Sequence, residues 1–210
     1  MTAIRVKICG ITTPEDALAS CAAGADALGL VFYPPSSRFV TMPQAAAIAA
    51  VVPPFVQRVG LFVNPSSDEV EQVLASVELD LLQFHGSEAA AFCEQFSRPY
   101  IKALAMKPGL DIQAEMAAHP QARGFLLDAY HPAKPGGTGE VFDWAHFPKL
   151  APKPLILAGG LRVENVAAAI EQCRPYAVDV SGGVESAPGR KSVEKVRAFI
   201  QRAKSTEVEL

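Results

Sequence analysis

Leu155-Ile156-Leu157-Ala158-Gly159-Gly160 and Val178-Asp179-Val180-Ser181-Gly182-Gly183 are two short apolar runs, each ending in a glycine pair and leading into a helical pattern. A bound phosphate needs backbone N–H groups that can approach closely, which favours glycine, and it gains from the positive end of a helix dipole beyond the turn. Two such segments in succession predict a phosphorylated small-molecule ligand held by Gly159, Gly160, Gly182 and Gly183. In a (β/α)8 barrel the phosphate commonly lies between the loops after strands 7 and 8 and the N-terminus of a short extra helix. The two segments fit those positions if six strands precede them.

Six do. Working back toward the N-terminus, β-branched and apolar runs alternate with Ala-rich helical patterns. The expected strands are Arg5–Cys9, Ala27–Phe32, Arg58–Val63, Leu81–Phe84, Tyr100–Leu104, Gly124–Asp128, Leu155–Ala158 and Ala177–Val180. Helical patterns cover Pro14–Ala23, Pro43–Val52, Ser67–Ser76, Glu88–Gln95, Val163–Cys173 and Val193–Ala203, several opened by a Thr, Ser or Pro suited to a helix start. Alternation of this kind implies parallel strands. Leu110–Ala118 and Val141–Phe147 leave room for little helix, so the outer ring is expected to be short or incomplete around strands 5 to 7. The expected fold is an α/β (β/α)8 TIM barrel, one domain over residues 1–210 with a frayed tail at 204–210. An open doubly wound sheet shows the same alternation but normally carries its phosphate loop after the first strand, whereas here the glycine pairs come last. Two long loops follow expected strands, Tyr33-Pro34-Pro35-Ser36-Ser37-Arg38 and the Gly-rich His131–Gly139, and belong on the catalytic face.

Half of the 210 residues are hydrophobic, enough for one sizeable core and short for two. Nineteen basic against 22 acidic residues give a net charge of −3, with no Lys/Arg stripe of the kind a nucleic-acid groove needs. No run approaches membrane-spanning length, and the start of the chain lacks the apolar core and cleavage site of a signal peptide. Cys9, Cys21, Cys93 and Cys173 show no metal or redox spacing, so reduced thiols in a cytoplasm are expected. No His/Cys/carboxylate set stands at metal-ligand spacing, and no metal is expected.

In a barrel the C-terminal ends of strands point into the active-site mouth. Cys9 ends the first strand, where its thiol serves as a base or nucleophile once partly ionised, or else as a small buried hydrophobe. Asp128 closes an apolar run; it is either a proton donor or a cap for the following loop. Together they form an acid/base pair across the ring, on strands 1 and 6. Arg38 offers a planar fork for a carboxylate or stands as a solvated loop residue. His85, after strand 4, has a structural, substrate-positioning or proton-transfer role, and Asp179 either meets substrate or satisfies nearby loop groups. The other cysteines fall in helical patterns and receive no chemistry.

Taken together, Lys7-Ile8-Cys9-Gly10-Ile11-Thr12, Gly29-Leu30-Val31-Phe32 with Ser36-Ser37-Arg38, Gln83-Phe84-His85-Gly86, Leu126-Leu127-Asp128, Gly136-Gly137-Thr138-Gly139, Leu157-Ala158-Gly159-Gly160-Leu161 and Asp179-Val180-Ser181-Gly182-Gly183-Val184-Glu185 resemble the phosphoribosylanthranilate isomerase family of tryptophan biosynthesis. The likeness runs from near residue 5 to near residue 203. Phe84 departs from it, the family more often having leucine there. The resemblance implies an Amadori rearrangement of N-(5-phosphoribosyl)anthranilate to 1-(2-carboxyphenylamino)-1-deoxyribulose 5-phosphate, with no cofactor. It also implies Asp128 as general acid, Cys9 as general base and Arg38 on the anthranilate carboxylate. The turns at Gly159–Gly160 and Gly182–Gly183 would hold the phosphate, and Gly136–Gly139, including Gly137 and Gly139, would form a mobile cover. His85 and Asp179 complete the substrate-binding set. The expected partner is thus a small phosphoribosyl substrate, with no nucleic acid or membrane, and the protein a monomer or homodimer. Competing readings are a neighbouring phosphosugar enzyme, such as indole-glycerol-phosphate synthase or ribulose-phosphate 3-epimerase, or a phosphosugar-binding barrel without catalysis. The lysine and glutamate of the synthase and the metal ligands of the epimerase are not visible here.

Overall fold

A computed structural model describes residues 4–129 and 142–206. Among them, eight parallel strands close into a barrel in chain order: β1 (Arg5–Cys9), β2 (Ala27–Val31), β3 (Gln57–Phe62), β4 (Leu81–Phe84), β5 (Tyr100–Met106), β6 (Phe125–Ala129), β7 (Leu155–Leu157) and β8 (Ala177–Val180). The ring closes where β1 meets β8, with Lys7 opposite Asp179. Side chains alternate across each strand, and both faces are covered. One face carries Val6, Ile8, Leu28, Leu30, Phe62, Leu82, Phe84, Phe125, Leu127, Leu157, Val178 and Val180, which join the large cluster shared with the helices. The other face builds two small clusters inside the ring, Cys9–Val31–Leu61 and Ala103–Leu126–Ala158. Buried Lys7, Gln83, Asp128 and Asp179 occupy further positions of this inner face. Polar groups inside a barrel require partners, and those partnerships shape the site.

The helices are α1 (Pro14–Ala22), α2 (Met42–Ala50), α3 (Ser67–Ser76), α4 (Ala90–Cys93), α5 (Ile112–Ala117), α6 (Val166–Cys173) and α7 (Val193–Ser205). Thr13, Thr41, Ser66 and Ser192 cap α1, α2, α3 and α7 through their hydroxyls, and Thr41/Gln44 and Ser66/Glu69 form reciprocal capping boxes. None of the helices among the described residues is long and apolar enough to cross a membrane. The expected thinning of the outer ring is present: α5 has six residues, and the described part of the β6–β7 connection holds one 3-10 turn, Trp144–His146.

Three features depart from expectation. The helix expected over Glu88–Gln95 shrinks to the four residues of α4, because Glu88 is drawn inside. Its carboxylate accepts from the Asn64 N–H at 2.7 Å, the Gly86 N–H at 3.0 Å and the Lys102 ammonium at 2.9 Å. Phe84 packs against Phe62, Phe92, Phe96 and Tyr100, with ring centroids 5.8 to 6.2 Å apart, filling the space beside the shortened helix. Beyond β8, an unanticipated antiparallel hairpin, β9 (Glu185–Ala187) and β10 (Arg190–Lys191), turns at Gly189 with φ +78°. It is pinned to the first βα loop by Thr12 Oγ1, which donates to the Gly189 carbonyl at 2.5 Å. At the far end α7 continues past Ala203 to Ser205, and Lys204 pairs with Asp26 at 2.9 Å.

Candidate active site

The C-terminal rim gathers the strand-end residues. Gly159 and Gly160 both sit at positive φ, +80° and +60°, conformations that side chains resist. A Cβ on Gly159 would stand 2.5 Å from the Ala129 nitrogen and 3.1 Å from Asp128 Oδ1, so this turn lies directly against the end of β6. Gly182 and Gly183 begin a 3-10 turn, Gly182–Val184, which supplies the short extra helix expected after strand 8. A cavity of about 310 Å³ opens between the two segments, lined by Asp128, Ala158–Arg162 and Asp179–Gly183. By contrast, α6 begins only at Val166, six residues past Gly160, so its dipole does not sit directly on the first glycine pair. The Ser181 hydroxyl oxygen lies at this rim, buried and without a hydrogen-bond partner among the described residues.

Asp128 is buried, with Oδ1 accepting from the Ala129 N–H at 2.9 Å and Oδ2 lying 3.2 Å from His85 Nε2. The other ring nitrogen, Nδ1, lies 2.9 Å from Gln83 Nε2. A Gln83 amide donating to Nδ1 leaves the imidazole proton on Nε2, facing Asp128. The fully buried Gln83 is a member of the site that sequence reasoning missed. Its place two residues before His85, on the same face of β4, was the available signal.

Cys9 is 5% exposed at the end of β1. Lys7, two residues earlier on the same strand face, forms a 2.9 Å ion pair with Asp179 across the β1–β8 seam. Asp179, expected on substrate, therefore lines the cavity while holding a lysine. Gly29 lies opposite Cys9 in β2, and a Cβ there would be 2.7 Å from the Cys9 sulfur and 3.0 Å from Lys7 Nζ. Thiol and ammonium thus converge over a ladder position that has no side chain. Burial pushes the Cys9 thiol up, and Asp179 adds to that, while Lys7 and Lys191 pull it back. Burial works against the Lys7 ammonium, yet Asp179 and Cys9 hold it above its ordinary value.

Arg38 reaches the same rim from the β2–α2 loop. Its Nε and Nη2 donate to the two oxygens of Glu185 at 2.7 and 2.8 Å, a bidentate pair. Glu185 also accepts from Lys191 at 2.9 Å, and Lys191 Nζ donates further to the Ser181 carbonyl at 3.2 Å. One edge of the Arg38 fork is thus engaged within the protein, leaving Nη1 without a partner among the described residues. A Cβ on Gly182 would lie 3.2 Å from Nη2, so the guanidinium borders the phosphate turn. Neither Glu185 nor Lys191 was expected here: the hairpin that brings them in has no periodic signal. The ring places β7 and β8 between the strands of Asp128 and Cys9. Gly137 and Gly139 lie outside the described residues.

The family model described as N-(5'phosphoribosyl)anthranilate (PRA) isomerase matches residues 6–202. The N-(5'-phosphoribosyl)anthranilate isomerase of Azotobacter vinelandii is 59% identical over 205 residues, covering 98% of this chain and all of that protein. The phosphoribosyl anthranilate isomerase structure from Thermus thermophilus superposes with a TM-score of 0.87 at 40% identity, covering 97% of this chain and 100% of the other. A phosphoribosyl anthranilate isomerase solved with reduced 1-(o-carboxyphenylamino)-1-deoxyribulose 5-phosphate gives 0.82 at 39% identity, covering 96% and 98%.

Proposed function

Because this chain belongs to the N-(5′-phosphoribosyl)anthranilate isomerase family, we propose that it performs that family's rearrangement with Asp128 as general acid and Cys9 as general base. Asp128 protonates the ribose ring oxygen. The C1′–O bond opens as the anilino nitrogen donates its lone pair, giving a protonated imine. The thiolate of Cys9 then takes the C2′ proton, which the iminium makes acidic enough for a modest base. The resulting enolamine tautomerises, gaining a proton at C1′ and leaving a ketone at C2′, so substrate and product have the same composition. His85, held by Gln83, fixes the Asp128 carboxyl.

The observation that carries these roles is the glycine-walled cavity itself. Asp128 lines it, and so does Asp179, whose ion-pair partner lies beside Cys9. A phosphate held by the backbone of Gly159, Gly160, Gly182 and Gly183 would anchor the sugar between acid and base. Nη1 of Arg38 takes the anthranilate carboxylate, and the inner apolar cluster of Val31, Leu61 and Tyr33 next to Cys9 receives the aromatic ring. The substrate is a small phosphoribosyl compound, neither nucleic acid nor membrane takes part, and no cofactor is required. We place the protein in the cytoplasm, where its four free thiols stay reduced, as a monomer or homodimer.

The test is a fluorescence assay with phosphoribosylanthranilate formed in situ from anthranilate, in the presence of a metal chelator. Turnover is expected. Cys9→Ser and Asp128→Asn should each lower kcat by roughly 10²-fold or more while leaving product affinity nearly intact. Wild-type kcat in either variant would remove that residue's role. Absence of turnover with a phosphorylated ligand still bound would favour a binding protein of the same fold.

A further inference from the structure

The mouth of the barrel holds more charged groups than the proposed reaction uses. Around Cys9 stand Lys7 on β1, Asp179 on β8, Lys191 on β10, and Arg38 from the β2–α2 loop with its partner Glu185 on β9. Three are cations and two are carboxylates. Buried charge left uncompensated is costly, and a thiolate at Cys9 would balance this set. Of the two ammonium groups, Lys7 sits nearer the seam: Asp179 holds it on one side, and it shares the space over Gly29 with the sulfur. Lys191 is committed to Glu185 and the Ser181 carbonyl, and burial draws its own value down.

We propose that Lys7, locked in place by Asp179, is a positioning residue whose ammonium stabilises the thiolate of Cys9. This rests on the reading of Cys9 as the base and extends it: burial holds the thiol up, and the lysine beside it offsets part of that. Asp179 then has two opposed effects. It fixes the ammonium beside the sulfur, and its own negative charge resists the thiolate.

The experiment reads ionisation of Cys9 without substrate, as the far-ultraviolet thiolate absorbance of each chain minus that of its Cys9→Ser counterpart, followed against pH. Subtraction removes the tyrosines and the other three thiols. Lys7→Met should move the midpoint up by about one to three pH units, the usual effect of losing an opposite charge within about 4–6 Å. Lys7→Arg should recover part of the shift. A general loosening of the barrel would hydrate the thiol and lower the midpoint, so it cannot imitate the rise expected in Lys7→Met. The acid limb of kcat/KM should move alkaline in Lys7→Met in parallel. A folded Lys7→Met with an unmoved midpoint overturns the proposal, as does a wild-type thiol that shows no thiolate band before the protein unfolds. Should Lys7→Met not fold, Lys7→Gln is read in its place: a raised midpoint supports the role, an unmoved or lowered one overturns it. Full activity in Cys9→Ser would instead remove the base assignment and leave the ionisation result standing.

Discussion

At Glu185, burial and two cations act in opposite directions. Burial raises the carboxyl, but Arg38 and Lys191 outweigh it and hold the group below its ordinary value of 4.5. A carboxylate depressed by folding stabilises the native state above that ordinary value, and the contribution disappears as pH falls through the native one. Glu185→Gln should therefore cost about 3–5 kcal/mol at neutral pH, with the deficit shrinking in the acid range, as read from urea unfolding midpoints against pH. Arg38→Ala should raise KM with a smaller effect on kcat; a loss confined to kcat would count against a binding role. The rim positions of Cys9, Asp128 and His85 were legible in sequence because the end of a parallel strand is a readable position. Lys7 was not. In sequence it is one charge in an apolar strand, and its partner lies 172 residues away. Arg38 was legible as a rim residue, but its engagement with Glu185 depends on a hairpin that no pattern announces.

The strand-to-helix turns are the elements on which the proposed phosphate binding depends, and they can be tested apart from the chemistry. Gly159→Ala combines a positive φ with a Cβ against β6, so it should cost on the order of 1–3 kcal/mol and weaken affinity for a phosphorylated ligand. Gly109→Ala, at φ +78° with nothing within 4 Å, is the control: a similar conformational cost with unchanged kinetics. Calorimetry and steady-state kinetics together separate the two. Strand positions were readable to within a residue or two because each run is mostly apolar and bounded by turn residues. Helix starts were readable where a Thr or Ser cap stands, as at Thr13 and Ser66. They were misread where a tertiary contact intervenes. Glu88 has the composition of a first helical turn, yet Lys102 and two backbone N–H groups draw it inside, and α6 begins at Val166 rather than Val163 because the chain from Gly160 first completes the rim turn.

At the scale of the molecule, the alternation of eight strands with helices made the barrel legible before any contact was known, and the late position of the glycine pairs decided between closed and open sheets. The Lys7–Asp179 pair was hidden, because it forms only when β1 meets β8. α7 packs against β1, with Phe199 fully buried in the shared cluster, and Phe199→Ala should lower unfolding stability by about 3–5 kcal/mol. The seam also sets an order of events. Contacts between distant parts of a chain form against a larger loop-closure entropy than local ones, and Lys7 and Asp179 come from the first and last strands of the ring. Secondary structure can therefore form in refolding before the thiol has its cation, and the regain of isomerase turnover should trail the far-ultraviolet circular dichroism signal. The protein would then carry its own kinetic reporter, in which catalysis begins at the moment the ring shuts.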